Sequence, residues 1–320
     1  MTSRFRRFDV NRLRLAPLDQ RVHDMGLERL LPLAATPEVR PALRQAAEAV
    51  RAARERGAQV VLMMGAHVIR AGVQRYLIDL MERGYITCLA GNGACAIHDY
   101  ELALIGATTE SVATYIADGR FGLWRETSRL NDLVVAARDT GRGLGETVGE
   151  AIATGDFPHR DSSLFAAAHR LGIPFTVHVG IGYDIVCEHP NYDGGAWGAA
   201  SHTDFLIYAA CVEELSGGAA LSLGSAVMGP EIFLKALAMA RNAAAPTRTV
   251  EGFTTLVTDL RDLGDTGREP SKDSPEYFFR PFKTLLVRSL AGAGRSIYVR
   301  AEHARAVPEL WTALTQGAGR

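Results

Sequence analysis

The chain has 320 residues, of which 47% are hydrophobic and 22% charged, and its formal net charge is −1. This is ordinary globular composition, with enough length to bury a large core. It excludes a protein drawn to nucleic acid or to an anionic membrane by its overall field, and no run of about 18 apolar residues offers a membrane span.

Four scattered cysteines (Cys88, Cys95, Cys187, Cys211) show no paired metal spacing and suit a reducing compartment. A soluble, cytoplasmic protein is expected. Lysine chemistry has three candidates, Lys235, Lys272 and Lys283.

Residues 1–36 are basic and then apolar, without clear periodicity. They form an expected N-terminal arm, packed on the domain or on a neighbouring subunit. Residues 37–320 read as a single large α/β domain. Its first helix is Pro37–Arg56, with Thr36 as cap and Gly57 as stop.

The apolar run Gln59–Met64 reads as a strand ending at Gly65. Val68, Ile69, Val73, Tyr76, Leu77, Leu80 and Met81 then follow at helical spacing up to Gly84. A second strand, Tyr85–Ala90, meets Gly91-Asn92-Gly93 and another helix. Two strands joined by a helix lie parallel and deliver their carboxyl ends to one edge of the sheet, where ligands bind in open α/β folds.

Glu110–Ala117 and Asn131–Thr140 read as helices. Gly141, Gly143, Gly145 and Gly149 make residues 141–160 a mobile loop or a short-helix excursion. Ser162–Arg170 is helical and Phe175–Val179 a strand, followed by the turn Gly180–Asp184. A polar loop, Glu188–Gly198, leads to a helix at Thr203–Leu215. Ala219–Leu223 is a strand, Gly224-Ser225 a turn, Pro230–Asn242 a helix and Glu251–Val257 a strand. Pro281–Ala291 mixes strand and turn, Ser296–Val299 is an edge strand, and Pro308–Leu314 closes the chain as a helix. The recurring unit of strand, glycine turn and helix predicts a doubly wound, mostly parallel, Rossmann-like α/β sheet with helices on both faces.

The candidate site residues lie at those turns. Gly91-Asn92-Gly93-Ala94-Cys95-Ala96 fits G-x-G-x-x-G/A in the required setting, after a strand and before a helix. Such a turn takes a phosphate on helix N–H groups, or is a bare tight turn. Glu110 stands about where that fingerprint's ribose acid falls, but a capping role at a helix start suits it better, which counts against the ordinary dinucleotide mode. His67, His98, Asp99 and His189 are acid–base candidates, with His178, His202, Asp193 and Asp204 on nearby elements. A lone histidine of this kind is commonly structural.

Asp184 holds either an amine or hydroxyl pair, or its own backbone in an Asx turn. Gly224-Ser225 either donates to phosphate or merely caps a helix. Cys95 in a first helical turn is a thiolate candidate or a packing residue. Trp124 and Trp197 cover a ligand or anchor a loop. Glu231 and Lys235 should form an ordinary i,i+4 ion pair.

The order of the stretch Gln59–Gly106, of IPFTVHVGIGYDI and of LSLGSAVMGPEIFLKALAMARN resembles deoxyhypusine synthase from about Gln59 to Asn242. The resemblance implies a Rossmann-like homotetramer that binds NAD and moves an aminobutyl group through a lysine imine. It places cofactor contacts at Gly65–His67, Ala90–Gly93 and Gly180–Asp184, and His189 near the polyamine. Position 229 is Gly, however, and Lys235 lies more than a helical turn beyond, so the imine mechanism is not expected.

The resulting expectation is an NAD-binding transferase or oxidoreductase acting on a small amine or polyol. Gly65, Gly91, Asn92, Gly93, Gly180, Gly182, Asp184, Gly224 and Ser225 would bind the cofactor, and no metal ligand is assigned. The alternatives are a metal-dependent hydrolase or lyase built on the His/Asp cluster, and a non-catalytic metabolite-binding oligomer. A small-molecule partner is expected, with no nucleic acid and no membrane.

Overall fold

The computed structural model describes residues 3–245, 249–290 and 292–316. Ala291, the last residue of the Pro281–Ala291 expectation, lies outside them, as do Met1 and Thr2 of the expected arm.

Six strands form one parallel sheet: β1 (Val60–Met64), β2 (Cys88–Asn92), β3 (Phe175–His178), β4 (Ala219–Leu223), β5 (Thr254–Asp259) and β6 (Arg295–Arg300). Their spatial order is β3-β2-β1-β4-β5-β6. All six stand where the apolar runs predicted a strand, shifted by no more than a few residues. This order has a switch point, because the chain winds outward in opposite directions from β1 and from β4.

The alternation along β1 shows why both faces are covered. Val60, Leu62 and Met64 point into one core and Val61 and Met63 into the other. The first core packs α1 (Pro41–Glu55), α3 (Gln74–Glu82), α4 (Gly93–Ile105), α8 (Leu164–Leu171) and α11 (His303–Gln316) against the sheet. The second takes Tyr208 and Val212 of α9 (Gly194–Glu213), Phe233 and Leu237 of α10 (Met228–Ala244), and Phe282 and Leu285. A strand buried on both sides reads as a continuous apolar run, as these do.

At the switch point β1 and β4 meet backbone to backbone. Gly65 N–H donates to the Leu223 carbonyl at 3.1 Å. A Cβ on Gly65 would lie 2.5 Å from the Gly224 carbonyl oxygen, so no larger residue fits.

Four expectations need correction. The helix expected after Gly65 is two pieces, α2 (His67–Arg70) and α3, broken where Gly72 takes φ +73° beneath the carbonyl of Arg29. Residues 141–160 are not a mobile loop: they hold α7 (Leu144–Thr154), buried through Leu144, Val148 and Ile152. Its glycines serve close approach, since a Cβ on Gly145 would lie 1.5 Å from the Phe175 carbonyl oxygen. Helix α9 begins nine residues before the expected Thr203, because Asp193 caps it by accepting from Ala196 N–H at 2.9 Å. Pro281–Leu290 is helical, a wide π-type turn over Phe282–Val287 followed by a tighter one over Arg288–Leu290.

The edge strand β3 is sealed by α9. Val177 N–H donates to Asp204 at 2.8 Å and Val179 N–H to Ser201 at 3.2 Å, where another strand would otherwise pair. The segment before α1 lies against α4. Arg21 makes a two-pronged ion pair with Glu101 at 3.0 and 2.6 Å, and both side chains are buried. Among the described residues no helix is long and apolar enough to cross a membrane.

Candidate functional site

Three adjoining cavities run along the carboxyl edge of the sheet. The central one, about 450 Å³, lies over the switch point and is lined by Gly65, Asn92, His178, Gly180, Tyr183 and the run Gly224–Met228. A second, about 270 Å³, lies beside α4 and shares Tyr183 with the first. A third, about 550 Å³, lies beside α11; it shares Gly224 with the first and Arg70 with the second. The expected convergence of glycine turns on one edge is therefore present, but as a divided site.

The two turns that resemble phosphate seats differ sharply. In the Gly91–Ala96 turn, Asn92 accepts from Cys95 N–H at 3.2 Å and caps α4. Gly91 is packed under Cys95 and the Phe175 ring. The Asp184 carboxylate lies over Gly93, its Oδ2 2.2 Å from where a Cβ would sit. The chain's own side chains thus occupy this corner. Cys95 is fully buried, and that burial pushes its thiol up to about 12, so of its two readings it is the packing residue and not the thiolate.

In the Gly224–Met228 turn His303 covers only the first residue, and the backbone N–H groups of the three residues after it are unpaired among the described residues. Gly224 adopts φ +61°, and Ser225 Oγ, three residues before α10, accepts from Gly229 N–H in the helix's first turn at 2.8 Å, while the capping position itself, Val227, supplies no side-chain bond. Among the described residues none accepts from the N–H groups of Ser225, Ala226 or Val227. These groups precede a 17-residue helix on the cavity wall.

The acid–base candidates scatter. Asp99 is buried and accepts from the Ser163 hydroxyl and from Leu164 N–H at 2.8 Å, so it anchors the start of α8. Burial pushes it up to about 6 against those bonds. His189 is also buried, with Nε2 on the Gly122 carbonyl at 2.8 Å and Nδ1 beside Asn131. Neither lines any of these three cavities, and the bonds of both are spent within the fold. No three His, Cys, Asp or Glu side chains converge on a metal position among the described residues, so the expected His/Asp cluster does not form.

His98 lines the second cavity, its Nδ1 2.9 Å from the Thr108 hydroxyl, and burial lowers it to about 4. His67 is exposed on the third cavity. Asp184, expected with the cofactor residues, lines the second cavity instead of the central one. Gly180 lies under the Tyr183 ring, and Gly182 is exposed at φ +94°. Trp124 and Trp197 are core residues, bonded through Nε1 to Glu110 and Asn131. Glu231 pairs with Lys235 as expected, and also with Arg280.

Two cavity residues lay outside the first assignment. His178 lines the central cavity with Nε2 2.9 Å from the Thr176 hydroxyl, and burial lowers it to about 3. His303 covers Gly224, and its Nδ1 is buried without a hydrogen-bond partner among the described residues. The strand-end position of His178 is legible in the sequence; His303 stands in no motif that could have marked it.

The fold and its crevice define a doubly wound Rossmann-type α/β protein with a ligand edge at the switch point. Residues 44–119 match the family model for the C-terminal Rossmann fold of ArgZ-like arginine dihydrolases, less than half of the chain. Comparison with curated proteins gave no match. Among solved structures, unliganded AgrE superposes with a TM-score of 0.54 at 19% identity, over 90% of this chain and 34% of its own. ArgZ, an arginine dihydrolase of the ornithine–ammonia cycle in cyanobacteria, does so with 0.51 at 18%, over 88% and 33%. A LOR/SDH protein of Methanococcus maripaludis gives 0.51 at 14%, over 89% and 72%. The chain therefore spans about a third of ArgZ and AgrE, and at these identities the likeness establishes the fold. A putative deoxyhypusine synthase of Entamoeba histolytica, at a TM-score of 0.44, is too dissimilar to carry the family resemblance.

Proposed function

We propose that the chain is an enzyme that binds NAD in the central cavity and acts on a small amine. The observation that carries this reading is the open turn at the switch point, where unpartnered N–H groups of Ser225, Ala226 and Val227 precede a long helix. Such a corner attracts a pyrophosphate through its donors and the helix's partial positive charge. AgrE has been solved with ornithine and NAD+ together, which supports the pairing of this fold with a nicotinamide cofactor and an amine.

When bound, NAD supplies a hydride acceptor. Gly65, packed on the Gly224 carbonyl, and Gly224, packed under His303, form the floor of the cavity, and Asn92 and Tyr183 border it. His178 lines that cavity as a neutral imidazole, which burial keeps from taking up a proton, so its part there is to orient a bound group. His67 and His98 serve the flanking cavities. Lys235 is exposed and paired with Glu231, so the chemistry does not run through a lysine imine.

Calorimetric titration of the full chain with NAD+, NADH, NADP+ and NADPH tests the reading. Saturable binding of NAD+ or NADH is expected. No heat from any of the four at millimolar concentration overturns it.

A further inference from the structure

Asp184 is a candidate residue whose neighbours do not account for it. It is 8% exposed, and its Oδ2 is enclosed without a hydrogen-bond partner among the described residues. An Asx turn would explain it, but its side chain makes no bond at the start of its own short helical turn, Ile185–Glu188. Capping of α4 would also explain it, but Asn92 already does that. The positive end of α4 favours a nearby carboxylate, by less than the cost of burying an unpaired one. A group from outside the chain is the missing counterpart.

The second cavity shows what kind of group. Arg21 and Glu101 on its wall are locked to each other, and Glu110 accepts from Trp124. Ile97, Val112, Phe121 and Tyr183 supply apolar and aromatic wall for an alkyl stem. Arg70, also on the wall, acts on His98, whereas burial alone acts on Asp184, so the charge left over beside Gly93 is negative.

The geometry points to a subsite for the ammonium group of an alkylamine substrate in this cavity, with Asp184 as its counter-ion. The subsite rests on the reading of the chain as an enzyme acting on an amine, and it narrows that reading against the polyol alternative. A hydroxyl would leave the carboxylate's charge uncompensated; an ammonium neutralises it, and the enclosure of Oδ2 over Gly93 leaves Oδ1 as the oxygen to accept from it. Tyr183 lines this cavity and the central one, so a stem anchored at Asp184 runs past its ring toward the cofactor. Burial pushes Asp184 up to about 6, and a bound cation would draw it back down.

The test compares 1,4-diaminobutane with its uncharged counterpart 1,4-butanediol, by calorimetry and thermal melting of the full chain, with and without NAD+. The diamine is expected to bind and raise the Tm, and the diol to bind at least tenfold more weakly. Asp184→Asn should lose at least tenfold in diamine affinity while melting no lower than the wild type. Equal binding of diol and diamine, undiminished binding by Asp184→Asn, or no diamine binding overturns the subsite. NAD+ titrated alone separates the two readings. Binding of NAD+ without diamine removes the subsite and leaves the cofactor; binding of diamine without NAD+ does the reverse.

Discussion

The Gly91–Ala96 and Gly224–Met228 corners carry the same instruction in sequence: a strand, a glycine turn, a helix. The first fits the dinucleotide fingerprint and the second does not, yet the fingerprint corner is the occupied one. Asn92 takes a helix N–H, Cys95 fills the space beneath Gly91, and Asp184 lies over Gly93. The plainer corner keeps its donors free beside a cavity. A glycine pattern specifies how closely backbones approach. Whether a ligand or the chain itself makes that approach depends on residues far away, here Asp184.

If the first corner is a structural junction and the second a binding corner, damage to each should be felt differently. The largest effect is expected behind the first. Arg21→Ala strands the buried Glu101 carboxylate, and breaking a buried pair costs about 3–5 kcal/mol. Urea unfolding should show that loss, while NAD affinity measured on the folded fraction changes by less than about threefold. A stability loss under about 1 kcal/mol would show that the junction is not held this way.

The next effect is in pH. Asp184 is raised to about 6 when folded and stands near 3.9 when unfolded. Between those values the folded chain holds the extra proton, so stability is greatest at the acid end and falls as pH rises from about 4 to about 6. Asp99, raised to about 6, and Asp204, raised to about 7, act in the same direction. Asp184→Asn should remove roughly 2 kcal/mol of this fall and leave the rest. Identical slopes for the two proteins would mean that Asp184 is already compensated.

The sheet was readable because strands buried on both faces are continuous apolar runs, and all six runs became strands. Glu231 with Lys235 followed from spacing alone. The interior of the candidate site was less legible. Asp99 answers to the start of α8, some 65 residues on, and His189 to the carbonyl of Gly122, contacts that no local spacing encodes. Gly145 and Gly149 read as flexibility because close helix packing against β3 and α8 uses the same residue. His303 arrives from the far end of the chain and meets Gly224 only in three dimensions.

A charge placed in each corner sharpens the comparison further. Ala226→Glu puts a carboxylate at the exposed mouth of the open corner, where it competes with phosphate for the helix end. NAD affinity should fall about tenfold, roughly 1.4 kcal/mol. Ala94→Glu, on the occupied corner, should change it by less than about threefold. Equal losses from both would return the fingerprint corner to the cofactor.

The smallest test uses the two caps. Asn92 Oδ1, at the capping position of α4, accepts from Cys95 N–H at 3.2 Å, and Ser225 Oγ, three residues before α10, accepts from Gly229 N–H at 2.8 Å, so each holds one first-turn N–H of its helix from a different position. Asn92→Ala and Ser225→Ala should each lower stability by about 1 kcal/mol, the usual worth of a cap. Their binding effects should part. Ser225 holds the turn that lines the central cavity, so its loss should loosen that turn and weaken NAD binding as well. Asn92 borders that cavity while its side chain is committed to α4, so its loss should register in the melting curve and hardly at all in the titration. If the two variants weaken NAD alike, both corners grip the cofactor and the division drawn between them is wrong.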